Sequence, residues 1–392
     1  MVKLALAIEF ELGKSLTAMT RLRLRLSLNA WRRLTLKIEA SGERLNWRLC
    51  LPYWLSSPVY SLLGRIQDRS HADTLKNTAP SPPVFVLGFW RSGTTFLHEL
   101  LCCDRRFGFP STYACLNPSH FLLSEHWIRD RPLEQSRRPM DNMQYSWASP
   151  QEDEFALFAL GAPSPYEALL CPSLMRNPRL LLDLNQHPVE DQARWASVLQ
   201  YFLQLLRVQQ AKTMVLKSPS HGLRLPRLRA LFPQARYAII ERNPYEVFAS
   251  NLKLWQTLLE LYSLESFSAN EIEEFVLVAY MLHEEAICEG SHDLHRPHVT
   301  RVRYEDLVAE PAAEMMRLYR ELELGSFEEV RPAMEQYLAG VAGYKRNPFS
   351  LSAAQKAAVD SRWGEIISRK GYGWPREQLP SDQRENERKA RN

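Results

Sequence analysis

The stretch Pro83-Val-Phe-Val-Leu-Gly-Phe-Trp-Arg-Ser-Gly-Thr-Thr-Phe-Leu-His-Glu-Leu-Leu101 decides the fold. Its apolar run at 84–87 predicts a buried strand, and the residues from Gly88 to Gly93 predict a tight loop. From Thr94 onward the apolar residues take helical spacing. A strand, a loop and a helix N-terminus in this order bind anions, because backbone N–H groups converge there and the helix dipole favours negative charge.

The spacing from Gly88 to Thr95 matches the nucleotide P-loop pattern G-x-x-x-x-G-K-[ST] at every fixed position but one. Thr94 stands where that pattern has a lysine, which normally reaches the β- and γ-phosphates of a nucleoside triphosphate. The loop therefore predicts a phosphate ligand other than ATP or GTP bound in the usual way.

Two later segments place cations after predicted strands. Lys217 ends the run 213–217, and His221 lies four residues further on. Arg242 directly follows the run 236–241, and Ser250 lies about two helical turns beyond it. In open α/β sheets ligands bind at the carboxyl ends of strands. Lys217 could stabilise charge on a transferring group and His221 could act as base, or His221 could be a helix-capping residue. Arg242 and Ser250 together suit a second phosphate, unless Arg242 pairs with a neighbouring glutamate.

Three more segments carry weaker signals. Glu152 and Glu154 lie in an acidic run that is either a helix start or the source of a general base competing with His221. Tyr304 opens a Tyr-Glu-Asp sequence at a strand end, where core packing is the competing interpretation. Lys345-Arg346 lies in a loop bounded by Gly343 and Pro348 that suits closure over an anion, or is a solvated loop. His98 is expected to pack beside Trp90.

These segments resemble the sulfotransferases that use phosphoadenosine phosphosulfate (PAPS), in particular their broad bacterial branch, over roughly residues 83 to 374. The resemblance implies that Arg91-Ser92-Gly93-Thr94-Thr95 holds the 5′-phosphate and that Arg242 and Ser250 hold the 3′-phosphate. It implies that Tyr304 approaches the adenine and that Lys345 and Arg346 form a basic closing loop, although the Arg-Lys-Gly order of the animal cytosolic branch is absent. The family uses either a Glu or a His as base, so the resemblance does not choose between them.

Composition and the order of the predicted elements indicate the fold class and limit the kinds of partner. The chain has 392 residues, 45% of them hydrophobic, and a net charge of +4, which calls for no nucleic acid partner. Short strands alternating with helices predict an α/β fold with a P-loop-like, mainly parallel sheet flanked by helices. Strands are expected at 84–88, 213–217, 236–241 and 298–303, and helices at 93–103, 190–210, 222–231, 244–260, 270–289 and 311–322.

We expect a basic amphipathic N-terminal extension at 1–78, a PAPS-binding domain at 79–375 with an acceptor-pocket insertion at about 104–188, and a charged tail at 376–392. Residues 1–50 carry a local charge of +6. Arg21 to Leu28 alternates like a strand, whereas the span to Ile38 could be a basic helix. That extension either packs on the core, the alternative we favour, or contacts an anionic membrane or a partner.

The sequence thus predicts a sulfotransferase that uses PAPS, without a metal, to modify an alcohol or, less favourably, an amine. Aromatic residues in the insertion suggest a small-molecule or lipid-like acceptor, although core packing explains most of them. They include Phe107, Phe109, Tyr113, Phe121, Trp127, Tyr145, Trp147, Phe155 and Phe158. Six cysteines without metal-ligand spacing and no signal peptide favour the cytoplasm, with peripheral contact at the inner membrane face. The alternatives are a P-loop kinase or NTPase that has moved its lysine, and a catalytically silent binding module.

Overall fold

The computed structural model describes residues 24–40, 42, 47–78, 81–128, 146–341 and 350–374. Its centre is a five-stranded parallel sheet in the order β2-β3-β1-β4-β5. The strands are β1 Val84–Leu87, β2 Phe107–Gly108, β3 Thr213–Lys217, β4 Arg236–Glu241 and β5 Val299–Arg303. The four predicted strands are confirmed, and the two-residue β2 adds an edge that the sequence did not indicate.

Helices cover both faces of the sheet. Among the described residues they are α1 Leu28–Ala40, α2 Trp47–Ser70, α3 Ala72–Asn77, α4 Thr94–Cys102, α5 Thr112–Leu116, α6 Phe121–Ile128, α7 Glu154–Leu160, α8 Glu167–Leu170, α9 Pro178–Leu182, α10 Val189–Gln209, α11 Pro219–Gly222, α12 Leu225–Leu231, α13 Pro244–Tyr262, α14 Ala269–Ser291, α15 Tyr304–Ala309, α16 Pro311–Glu321, α17 Arg331–Val341 and α18 Ala353–Arg369. The predicted helix at 222–231 is corrected: a separate turn, α11, starts three residues earlier because Pro219 suits a first helical position. No described helix combines the length and apolarity that a membrane span requires.

The sheet is buried on both faces, as a parallel sheet flanked by helices must be. In β1, Phe85 and Leu87 pack into one cluster with Trp195 and Phe202 of α10. The alternate residues Val84 and Val86 pack into a second cluster with residues of α4 and α16. This alternation explains why β1 is a continuous apolar run in the sequence.

The described part of the N-terminal extension is mainly helical from Leu28 onward. Residues 24–27 have no regular structure and α1 begins at Leu28, while residues 21–23 of the strand-like alternation lie outside the described part. Trp31 is fully buried and stacks on Tyr53 of α2, with ring centroids 4.7 Å apart. Lys37 pairs with Glu167 at 2.7 Å, so α1 is held to the core by apolar contact and by charge.

A buried ion pair fastens the end of α18 to α14. Lys370 Nζ lies 2.6 Å from Glu284 Oε2 and 3.3 Å from a carboxylate oxygen of Glu241. Burial alone would raise the pKa of Glu284, but the hydrogen bond from His283 and the charge of Lys370 lower it to about 2. Because the folded-state pKa lies below the ordinary 4.5, the charged carboxylate stabilises the fold above that pH, and this contribution is lost as pH falls towards about 2.

We therefore expect Lys370→Met to lower the free energy of unfolding by roughly 3 kcal/mol near neutral pH, because it leaves a buried carboxylate uncompensated. The deficit should shrink as the pH of a urea titration falls through the range in which Glu284 takes up a proton. The control is Arg362→Met, which breaks a 3.0 Å pair with Glu274 that is about half exposed and should cost at most about 0.5 kcal/mol. Equal losses in the two variants, or a deficit independent of pH, would contradict this account.

Candidate active site

The loop between β1 and α4 is shaped to present backbone N–H groups. Gly93, the N-cap of α4, has a φ of +99°, and Arg91 has a φ of +69°. No side chain caps the helix at Gly93, and the first N–H groups of any helix lack an intrahelical acceptor. Ser92 stabilises the loop through internal hydrogen bonds. Its hydroxyl and its N–H both donate to the carbonyl of Phe89, at 2.8 and 3.2 Å. The remaining donors are those of the helix N-terminus, around Thr94 and Thr95.

Tyr304 lies directly against this loop. A Cβ added at Gly93 would come within 2.3 Å of its ring, so only glycine fits there. The guanidinium of Arg242 lies over the same ring, 4.6 Å from its centroid. The structure thus brings Tyr304 and Arg242, which are 62 positions apart in the sequence, to one side of the loop.

Arg91, Ser250 and Arg242 form one polar group. The Nε of Arg91 donates to the hydroxyl of Ser250 at 2.9 Å, and the Nη1 of Arg242 donates to the carbonyl of Arg91 at 3.1 Å. Arg242 also pairs with Glu246, which is the competing contact that the sequence suggested. Both contacts are present, so Arg242 is held next to the loop with part of its charge already compensated.

Lys217 reaches the loop from the neighbouring strand. The parallel register sets Val86 of β1 opposite Lys217 of β3, so the lysine stands where β1 runs into the loop. Its ammonium is 1% exposed, donates to Glu152 Oε1 at 2.8 Å and lies 3.4 Å from Thr95 Oγ1. A buried ammonium needs such partners, because an uncompensated charge is costly away from water.

Each carboxylate of the acidic run 152–154 contacts a different basic side chain. Glu152 contacts Lys217, Asp153 Oδ2 lies 2.8 Å from His221 Nε2, and Glu154 Oε2 lies 2.9 Å from Arg224 Nη1. The side chains of Asp153, Glu154 and His221 are fully buried, whereas that of Glu152 is 16% exposed. Of the three candidate bases, Glu152 is the one that the structure places beside the loop and in partial contact with solvent.

Tyr166 also contacts Glu152, and no motif in the sequence predicted this role. Its hydroxyl donates to Glu152 Oε2 and accepts from Trp90 Nε1 of the loop at 3.4 Å. Burial, and then the charge of Glu152, raise the pKa of Tyr166 well above its ordinary value, so the phenol stays protonated and remains a donor. Asp153 and Arg224 were likewise missed, because their partners are about 70 positions away in the sequence.

Other predicted residues lie apart from this group or outside the described part. His98 is fully buried with Nε2 3.2 Å from the carbonyl of Val215, so it packs against β3. Lys345 and Arg346 fall in residues 342–349, outside the described ranges. A cavity of about 850 Å³ lies near Tyr237 and His298, at the opposite, amino-terminal end of the strands. In the described ranges, no group of three or more His, Cys, Asp or Glu side chains could hold a metal ion.

Comparison with known proteins identifies the fold and the chemistry. Residues 82–329 match the sulfotransferase family. The chain is 37% identical over 349 residues to the omega-hydroxy-beta-dihydromenaquinone-9 sulfotransferase Stf3 of Mycobacterium bovis, and equally to that of Mycobacterium tuberculosis, covering 88% of this chain and 90% of the relative.

Two solved structures share the architecture. The sulfotransferase STF9 from Mycobacterium avium superposes with a TM-score of 0.66 at 20% identity, covering 88% of this chain and 92% of that one. The sulfotransferase STF1 from Mycobacterium tuberculosis gives a TM-score of 0.61 at 21% identity, covering 86% and 92%. The predicted α/β fold and enzyme class are confirmed, and the kinase and silent-module alternatives are set aside. The chain belongs to the sulfotransferase family and is a PAPS-dependent sulfotransferase.

Proposed function

We propose that this enzyme transfers the sulfuryl group of PAPS to the hydroxyl of a lipid-like alcohol, with Glu152 as base and Lys217 as the electrostatic stabiliser. The observation that carries the proposal is the position of Lys217 Nζ, between the loop hydroxyl of Thr95 at 3.4 Å and Glu152 Oε1 at 2.8 Å. An acid–base group and a fixed cation therefore meet at the phosphate loop. PAPS, when bound, supplies the activated sulfuryl group.

The residues around the loop fit a donor with two phosphates. The uncapped N-terminus of α4, with Arg91 and the residues from Ser92 to Thr95, would hold the 5′-phosphate. Arg242 and Ser250, joined through Arg91, would hold the 3′-phosphate. Tyr304 would lie along the adenine, and Lys345 with Arg346 would add positive charge. We propose that no metal takes part.

Glu152 suits the role of base better than its rivals. A base must approach the hydroxyl whose proton it takes, and His221 and Glu154 are fully buried in pairs with Asp153 and Arg224. Glu152 is held by Lys217 and Tyr166, so its orientation is set before the acceptor arrives. Lys217, fixed in a dry environment, can stabilise negative charge that develops during transfer, and positioning supplies much of the remaining catalysis, as in phosphoryl transfer.

A lipid-like acceptor is supported by two observations. The relative that shares 37% identity acts, by its name, on omega-hydroxy-beta-dihydromenaquinone-9, a hydroxylated quinone. In this chain Phe155 packs on Tyr166 with ring centroids 4.8 Å apart, so an apolar side chain stands next to the hydroxyl that holds Glu152. We propose a hydroxylated isoprenoid quinone or a similar long alcohol as acceptor. The six cysteines are free thiols, which supports a reducing compartment such as the cytoplasm.

The acceptor class can be tested with radiolabelled PAPS and three acceptors in detergent: geranylgeraniol, 2-naphthol and 2-phenylethylamine. We expect the isoprenoid alcohol to have the highest kcat/KM, by about tenfold, because an apolar pocket gains affinity from each buried methylene. A clear preference for naphthol or for the amine would contradict the lipid alcohol while leaving sulfuryl transfer intact.

The base can be identified with Glu152→Gln, which keeps the size of the side chain and removes the proton acceptor. We expect kcat to fall by about 10²- to 10⁴-fold, while affinity for adenosine 3′,5′-bisphosphate stays nearly unchanged. The comparison variant is His221→Asn, with both kcat values expressed per folded enzyme. A Glu152→Gln enzyme that keeps wild-type kcat, beside a His221→Asn enzyme that loses it, would assign the base to His221.

The 3′-phosphate site can be tested with Arg242→Ala by calorimetric titration of adenosine 3′,5′-bisphosphate and of AMP, which lacks the 3′-phosphate. Losing a charged hydrogen-bond donor should cost about 2 kcal/mol, or about thirtyfold in affinity, for the bisphosphate alone. Arg331→Ala, which removes a surface arginine paired with Glu328, is the matched control. An equal loss for both nucleotides would mean that Arg242 only supports the loop through the Arg91 carbonyl.

A further inference from the structure

The outward face of α2 is apolar along most of the helix. Six large side chains are exposed there at spacings of one, three and four residues, with exposed fractions from 39 to 67%: Trp47, Leu51, Trp54, Leu55, Val59 and Leu62. We call these six residues the apolar face. The opposite side of the helix is buried and includes Tyr53, Leu63 and the polar Gln67. A surface helix normally directs its polar residues outward, so α2 has the reverse of the usual pattern.

Arginines flank the apolar face. Arg48 lies 5.6 Å from the ring centroid of Trp47 at one end, and Arg65 and Arg69, both exposed, follow Leu62 on the same side of the helix. The acidic residue of α2, Asp68, is bound by the hydroxyl of Tyr201. An apolar helix face with tryptophan and a basic border is typical of helices that lie in the interface of an anionic bilayer.

We propose that the apolar face of α2 inserts into the headgroup region of an anionic membrane and holds the enzyme there. Contact between two copies of this face would bring identical arginine borders together and repel, whereas anionic lipid neutralises them. Residues 1–23 carry four basic and two acidic side chains, so their net charge has the same sign as this arginine border.

Contacts on the buried side of α2 connect the apolar face to the region that surrounds the proposed base. On the buried side of α2, Gln67 donates to the carbonyl of Pro118 at 3.1 Å and accepts from the N–H of Leu122 at 3.0 Å. That segment pairs with the acidic run through a bridge between Ser111 and Pro150, two residues before Glu152. This step rests on the proposed function: a lipid acceptor could then reach Glu152 from the membrane that α2 contacts.

The test is flotation of the full chain with vesicles of phosphatidylcholine, with and without about 30% phosphatidylglycerol. The wild type should bind the anionic vesicles. The triple variant Trp47→Ser, Leu55→Ser, Leu62→Ser should lose about tenfold or more in partitioning, because apolar burial drives insertion. The matched control replaces three exposed apolar residues elsewhere with serine, Leu180, Val189 and Met316, and should bind like the wild type. All variants should unfold at the wild-type temperature, because they change exposed side chains.

Charge is tested separately with Arg65→Gln and Arg69→Gln, each of which should weaken binding to anionic vesicles about fivefold. The proposal is overturned if the wild type does not float with anionic vesicles, or if the triple variant floats as well as the wild type. It is also overturned if the triple variant converts a dimer to a monomer in sedimentation while no form binds vesicles, since the face would then join two copies.

The readout does not depend on catalysis. Vesicle binding without transfer to geranylgeraniol would contradict the proposed lipid acceptor and support the proposed membrane contact. Transfer to that alcohol in detergent without vesicle binding would support the lipid acceptor and contradict the membrane contact. If both hold, the triple variant should keep wild-type kcat in detergent and lose activity towards acceptor embedded in anionic vesicles.

Discussion

The ion pair between Lys217 and Glu152 is the interaction on which the site depends. An ammonium that is 1% exposed at the end of a central strand is tolerable only with an anionic partner, and Glu152 supplies it. The two following carboxylates do the same for His221 and Arg224. Three consecutive residues, 152–154, therefore bind three cationic or polar side chains at the end of β3 and just after it. This joins that segment to the sheet and sets the distance between the proposed base and the loop that follows β1.

Local signals in the sequence were sufficient for four of the five described strands and for the loop between β1 and α4. β1 is a short apolar run followed by glycines, and such features depend on neighbours in the chain, so they could be read directly. The positions of Lys217 and Arg242 at strand ends were also predictable, because parallel strands bring their carboxyl ends to one edge. Which side chains pair with which was not predictable from the sequence. Glu152 and Glu154 are both acidic and two residues apart, and only the tertiary structure shows that one faces the loop and the other is enclosed with Arg224.

Tyr166 and α2 are two further features that the sequence alone could not place in the structure. Tyr166 lies in a Pro-Ser-Pro-Tyr sequence without any motif, yet it holds Glu152 from the side opposite Lys217. In α2 the apolar residues run around the whole helix, so periodicity could not tell which of them are buried. The core selects one side, through the stack of Trp31 on Tyr53 and the contacts of Gln67, and leaves the other apolar side facing outward.

The missing lysine of the P-loop pattern has a physical counterpart in β3. A lysine at position 94 would extend from the loop itself, whereas Lys217 comes from the adjacent strand and is held by a carboxylate. With Glu152 as the proposed base and Lys217 as the proposed stabiliser, this contact links the protonation of the glutamate to the charge of the lysine. When Glu152 accepts the acceptor proton it becomes neutral, and its attraction for Lys217 falls. The lysine charge is then uncompensated at the moment when negative charge develops at the loop, so Lys217 stabilises the transition state more than the ground state, which is the condition for catalysis.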